Sequence, residues 1–267
     1  GRQESPKWRN QASYSEVGAD FNPEMGFVNR TNYRRLRAAL GRRIRPTGTR
    51  IQEWGPRMFF DEYRDFTGFR ETGFRSVGGD VEMRSGARLS LFVGHSFQGL
   101  REPFEIFPGV VIPAGAHRSR KPYYFILFNS NRGRAVSLGG MIQGGGFFDG
   151  EQLSLNPVLN IRLGDYLTSE IGWSYNDVDL SGGSFETHLG RLRLTYAFST
   201  KILLQALIQY NDVHNDVSTN LRFSWLGAAN TGLFLIYNEV SEFGRSARAK
   251  PDRSLIVKYS RFFDVFR

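Results

Sequence analysis

The chain has no cysteine in its 267 residues, which excludes disulfides and thiolate metal sites. It also lacks any run of about 18 apolar residues, so no transmembrane helix is available. Gly1 does not open a signal peptide, and a mature product or a fragment is expected, whose export signal cannot be read here. None of the four histidines, His95, His117, His188 and His214, has metal-ligand spacing to another, and no HExxH occurs, so neither a metal nor any other cofactor is expected. There is no GxSxG elbow, low-complexity linker or exact repeat. No helical periodicity rivals the alternation described below.

The sequence is rich in aromatics, with 23 Phe and 11 Tyr, and holds 30 Gly. That pairing favours strands and turns over helices. The net charge of +9 invites a nucleic-acid reading, but the arginines are dispersed on strand faces opposite apolar residues and no binding motif accompanies them. No nucleic-acid partner is therefore expected. The charge equally suits a membrane barrel with a basic lumen.

Period-two alternation dominates. Leu153, Leu155, Pro157, Leu159, Ile161 and Leu163 oppose Ser154, Asn156, Val158, Asn160 and Arg162. Leu167, Ile171, Trp173 and Tyr175 oppose Thr168, Glu170, Ser174 and Asn176. Leu192, Leu194, Tyr196 and Phe198 oppose Arg191, Arg193 and Thr195, and Leu204, Ala206, Ile208 and Tyr210 oppose Gln205 and Gln209. Leu221, Phe223 and Trp225 oppose Asn220, Arg222 and Ser224. Leu255, Val257, Tyr259, Phe263 and Val265 oppose Lys258, Ser260 and Asp264. Successive strand residues point to opposite faces, so each segment has an apolar and a polar side. Several segments reach the roughly 9–11 residues of a tilted membrane strand, beyond the roughly 5–6 of an ordinary soluble one.

The links alternate in length when read back from the C-terminus. Glu239 to Asp252, Asn211 to Asp216, Asp177 to Gly183, Phe147 to Glu151 and Phe107 to Lys121 are the longer ones. Gly227 to Thr231, Ser199-Thr200, Gly164-Asp165, Ser130 to Gly133 and Arg84 to Ala87 are the shorter. Bacterial barrels have short periplasmic turns and longer outer loops, which places both chain ends on the periplasmic side. Earlier strands are expected at Lys7–Glu16, Asn32–Ile44, Arg50–Tyr63 and Phe69–Met83. The expected fold is one all-β domain over residues 1–267, an antiparallel transmembrane barrel with about fourteen strands visible, either whole or the C-terminal part of a larger one. Aromatics near strand ends, among them Tyr166, Tyr196, Tyr210, Trp225 and Tyr259, suit interfacial girdles.

The closing residues Lys258-Tyr259-Ser260-Arg261-Phe262-Phe263-Asp264-Val265-Phe266-Arg267 resemble the signal read by outer-membrane assembly machinery. Lys258, Phe263 and Val265 fit its polar and apolar positions, Ser260 stands where Gly is usual, and two residues follow Val265. The stretches Asp20-Phe21-Asn22-Pro23-Glu24-Met25-Gly26-Phe27-Val28-Asn29-Arg30, Leu221-Arg222-Phe223-Ser224-Trp225, Leu235-Ile236-Tyr237-Asn238-Glu239 and Ser254-Leu255-Ile256-Val257-Lys258-Tyr259 resemble another pattern. It is that of a bacterial outer-membrane barrel family of unknown function whose members carry an N-terminal domain similar to family 9 carbohydrate-binding modules. The resemblance implies an outer-membrane location and a surface role, glycan handling included. That N-terminal domain is absent here, and the family's barrel region is longer than this chain.

The polar faces hold Arg162, Arg191, Arg193, Arg222 and Lys258, with Glu170 the main counter-charge. A basic lumen attracts anions; the alternative is a wall whose charges pair across strands. Glu24 could pair with Arg30, or with an Arg of the next strand, and order the early loop, although exposed pairs contribute little, around 0–1 kcal/mol. His95-Ser96 offers a weak hydrolase site, although the two residues point to opposite faces of a strand. Gly144 to Gly150 reads as a tight glycine hairpin in preference to a calcium turn. The expected function is passive: an outer-membrane barrel that admits or binds a polar ligand, anionic or glycan-like. The alternatives are a structural anchor or subunit of a larger envelope complex, and a surface hydrolase. Expected partners are membrane lipid, the barrel-assembly machinery and other envelope proteins or a missing N-terminal part.

Overall fold

The computed structural model describes residues 1–24, 26, 28–227, 231–242 and 251–261. Among them there is no helix, and the strands are antiparallel. The N-terminal strands are β1 (Arg2–Glu4), β2 (Arg9–Val17), β3 (Tyr33–Gly41), β4 (Ile51–Arg64), β5 (Arg70–Met83) and β6 (Arg88–Leu100). Three short strands follow, β7 (Phe104–Phe107), β8 (Val110–Ile112) and β9 (Gly115–Arg118). The remainder are β10 (Tyr123–Asn129), β11 (Val136–Phe147), β12 (Gly150–Leu163), β13 (Leu167–Leu180), β14 (Gly183–Ser199), β15 (Ile202–Asn211), β16 (Asp216–Leu226), β17 (Gly232–Glu242) and β18 (Asp252–Ser260). Strand order in the main sheet is linear, from β1 through β6 and then from β10 to β18, with β9 paired to β6; β7 and β8 form a separate hairpin.

The fourteen strands β2 to β6 and β10 to β18 have from seven to seventeen residues, the lengths that the alternation predicts. The early expectations hold to within a few residues, even for the basic segment now β3. Phe263 and Val265 of the C-terminal signal lie outside the described residues.

Packing resolves the chain into two compact units. The first comprises Gly1–Phe128, Met141–Ser154 and Asp177–Glu186; the second comprises Asn129–Gly140, Leu155–Asn176 and Thr187–Arg267.

In the second unit the register places like with like. Tyr196, Leu204, Phe223, Leu235 and Val257 occupy one cross-strand row, and Leu194, Ala206, Leu221, Tyr237 and Leu255 the next. The opposite face carries the row Thr195, Gln205 and Arg222. Hydrogen bonds join that face laterally: Ser174 Oγ donates to Asn156 Oδ1 at 2.6 Å, Asn176 Nδ2 to Thr187 Oγ1 at 3.1 Å, and Asn238 Nδ2 to Ser254 Oγ at 3.0 Å. The apolar face has no such covering, and Leu255 is 68% exposed.

The first unit repeats the pattern. Leu40, Met58, Val77 and Val93 form one row, all exposed. On the other face Arg35 Nε donates to Asp61 at 2.8 Å and Arg57 Nη1 to Asp80 at 2.9 Å.

Three link expectations need correction. Phe107 to Lys121 is not a plain loop: it carries β8 and β9, and the β7–β8 hairpin forms the one buried apolar cluster among the described residues. Val110 and Ile112 pack there against Val178 and Leu180, and Phe107 stacks on Phe185 with centroids 4.4 Å apart. That burial draws Asp177 to Leu180 into β13, leaving only Ser181 and Gly182 where a longer link is expected. The glycines at 144–146 lie inside β11 and not in a hairpin turn. A Cβ at Gly145 (φ +94°) would stand 2.2 Å from the Pro122 carbonyl oxygen, so this position requires backbone-to-backbone approach. The turn itself falls at Phe148 (φ 46°) and Asp149. Link length therefore does not separate two ends of the sheet. On the end of the first unit that holds the short Arg84-to-Ala87 link, nine residues, 42–50, join β3 to β4.

Candidate anion site on the polar face

Within the second unit, β12, β13 and β14 lie side by side in the strand order. Alternation brings Asn160 and Arg162, Thr168 and Glu170, and Arg193 and Thr195 to one cleft of about 270 Å³. The link before β11 adds Arg132 and Arg134. This link is built, not loose: Asn131 Oδ1 accepts from the Gly133 amide at 2.8 Å, Arg132 Nη2 donates to Asn129 Oδ1 at 3.0 Å, and the Ser130 and Leu138 main chains are joined at 2.7 Å. The Arg162 amide donates to the Ala135 carbonyl at 2.7 Å, which ties the link to β12.

Four guanidinium groups thus line the cleft with one carboxylate. That carboxylate, Glu170, accepts from Arg191 Nη2 at 3.0 Å. Among the described residues no acid pairs with Arg132, Arg134, Arg162 or Arg193. The first unit differs. There Glu53 takes Arg9, Arg43 and Arg45, while Asp61 takes Arg35 and Asp80 takes Arg57. The planar fork of Arg matches carboxylate and phosphate oxygens in pairs, so the arrangement can hold an anion.

Of the residues singled out from the sequence, Arg162 and Arg193 share the cleft and Arg191 is joined to it through Glu170. Arg222 lies two strands from Thr195 in the same row, roughly 10 Å at the usual strand spacing, with its guanidinium over Phe234 at 5.5 Å. Lys258 sits further along on β18, opposite Phe234 and exposed. Glu24 is exposed, and Arg30 is engaged elsewhere, by Glu71 at 3.4 Å and by the Tyr63 ring at 4.7 Å. Its aromatic neighbour and the carboxylate of β5 hold it in place of Glu24. Arg132 and Arg134 escape the sequence reading because they stand on a link. The Asn-Arg-Gly turn there is the signal that would have found them.

A second cavity, of about 470 Å³, lies in the first unit. Phe59, Phe74, Phe92, Tyr123, Phe125 and Phe147 line it, with Ser76, Ser96 and three glutamines. The Tyr123 hydroxyl lies next to Ser76 without a hydrogen bond of normal geometry. Ser96 pairs in register with Phe74 and faces this cavity, whereas His95 pairs with Arg75 on the opposite face. The two cannot form a dyad. His117 contacts the Pro113 carbonyl, His188 stacks on Trp173 and lies tilted against Tyr175, and His214 contacts Asn211.

At the turn between β4 and β5, Asp65 is 1% exposed. Its Oδ1 accepts from the Thr67 hydroxyl at 2.6 Å and from the Thr67 and Phe69 amides at 2.9 Å each, and its Oδ2 from Arg101. The hydrogen bond from Thr67, then those from Arg101 and the Phe69 amide, hold its carboxyl at about 2. This clamp is a structural site, since every carboxylate contact is satisfied from within. No protein-family model and no curated protein matches the chain.

Proposed function

We propose that this chain is the strand-built membrane part of an outer-membrane barrel, and that its polar face admits or binds an anionic solute. The observation that carries the anionic part is the cleft of Arg132, Arg134, Arg162 and Arg193, whose charges have no acidic partner among the described residues. Basic rings and clusters favour anions over cations in a water-filled path. The membrane part is supported by the exposed apolar rows in each unit, since contiguous exposed apolar surface marks a membrane or partner interface, and by strand lengths suited to a bilayer. The resemblance to the outer-membrane barrel family points the same way, and extends the proposal to acidic glycans. The role is passive, not catalytic.

The test is conductance in planar bilayers under a salt gradient. Wild-type protein is expected to prefer anions, and Arg162→Gln with Arg193→Gln to move the reversal potential towards zero. An unchanged reversal potential in the double variant would remove the cleft from the account; a silent membrane would remove the pore and leave anion binding to be measured by titration with an acidic sugar.

A second reading, an anchor or subunit of a larger envelope assembly, is favoured by β18. Its residues from Asp252 to Tyr259 are all exposed, and an exposed edge strand is a template for another strand. Mass measurement after mild detergent extraction separates the two, since a lone chain of 30.4 kDa speaks against the assembly.

A further inference from the structure

On the apolar face of the first unit the rows run in a definite order. Leu40, Met58, Val77 and Val93 are followed by Ala38, Phe60, Arg75 and His95, and then by Leu36, Glu62, Gly73 and Phe97. The middle row carries two basic groups, side by side across β5 and β6, in a groove of about 550 Å³ whose other walls are mainly apolar side chains, with Ser76 and Pro122. Arg75 and His95 are both exposed, and Arg75 lies over the Phe60 ring at 5.4 Å. Among the described residues no acid pairs with Arg75. Glu62, one row further on, is already held by Arg64 at 2.7 Å and Arg70 at 2.9 Å. The groove therefore stands where apolar rows give way to charged ones.

A cation on a lipid-facing strand is destabilising in proportion to its depth and nearly free at the interface. An anion would still complement it, and among the described residues the acid in the neighbouring row, Glu62, is already taken by Arg64 and Arg70. We infer that Arg75 and His95 seat the phosphate of a membrane lipid, with its acyl chains lying along Leu40, Met58, Val77 and Val93. The inference rests on the reading that this face meets lipid. The groove supplies both halves of an amphiphile's chemistry, a cationic end and an apolar trough, which a free anion would use only in part.

The experiment is native mass spectrometry of the folded protein released from neutral-detergent micelles doped with either dioleoyl phosphatidic acid or dioleoylglycerol. The two lipids differ only in the phosphate. A preference of about fivefold or more for phosphatidic acid is expected, the effect of one well-placed basic residue at an anionic surface. Arg75→Gln with His95→Gln should abolish it, Arg75→Lys should largely keep it, and Lys201→Gln, at an exposed position in the second unit, should leave it unchanged. Equal retention of the two lipids by the wild type, or a preference that survives in the double variant, would overturn the inference. So would displacement of phosphatidic acid by millimolar inorganic phosphate, which would make the site one for free anions. These outcomes are read on protein already folded in micelles, with far-UV circular dichroism matching the wild type. Failure of the membrane reading shows itself differently, as a monomer that needs no detergent.

Discussion

Single side chains in this molecule divide by whether their charge is answered. Asp65 is the most fully answered: a carboxylate with three donors on one oxygen and Arg101 on the other has every reason to stay ionised. Its folded value of about 2 lies below the ordinary carboxylate value of roughly 3.9. The turn is therefore fully stabilised above about pH 4, and that contribution is lost as pH falls through about 2. Hydrogen exchange at the Thr67 and Phe69 amides should quicken across that window in wild-type protein. In Asp65→Asn it should be fast and nearly independent of pH there, apart from intrinsic exchange chemistry. Protection in the variant equal to the wild type at neutral pH would show that Arg101 and the turn backbone hold the link without the carboxylate. Arg132, Arg134, Arg162 and Arg193 stand at the other extreme, and the charge they leave open is what makes their cleft a candidate for an external anion.

Among the elements, the β7–β8 hairpin behaves unlike the long strands. Each long strand is held chiefly by its ladder, whereas the hairpin is held by side-chain burial. Ile112 is 1% exposed and touches the cluster that also buries Val178 and Leu180. Removing its side chain as Ile112→Ala should lower the local stability of the hairpin by about 2–5 kcal/mol, the usual range for such a core truncation. Amides of 104–112 and of the end of β13 should lose exchange protection while those of β15 to β17 keep theirs. Uniform loss across all of these strands would mean that the hairpin and the sheet unfold as one. The turn chemistry of the sequence marks this region correctly as a connection, with Pro103, Pro108 and Gly109. It does not reveal that the apolar residues between them find a partner far along the chain.

For the molecule as a whole, many more large apolar side chains are exposed than buried among the described residues. Five buried hydrophobic residues, Val110, Ile112, Tyr123, Val178 and Leu180, constitute the core among the described residues, against 36 large hydrophobic residues that are exposed. A bilayer or a partner covering the exposed rows would remove that apolar surface from water. The expected behaviour is a monodisperse particle only in detergent, and association when detergent is withdrawn below its micellar concentration. Analytical ultracentrifugation in both conditions checks this, and a compact monomer in plain buffer would remove the membrane reading along with the lipid seat.

The sequence by itself determined the strands and their two faces, because alternation with period two is a local property that each segment carries alone. Phe69–Met83 was legible almost residue for residue, and so was the opposition of Leu192 and Leu194 to Arg191 and Arg193. Only the tertiary structure decided which charges meet. Glu53 gathers Arg9, Arg43 and Arg45 from two other parts of the chain, while Arg162 and Arg193 are joined by two arginines from a link and, among the described residues, by no acid that pairs with them. Register and long-range burial fix those neighbours, and neither is encoded in any short stretch of the chain: a strand's pattern says which side a residue faces, and the strand beside it says what it finds there.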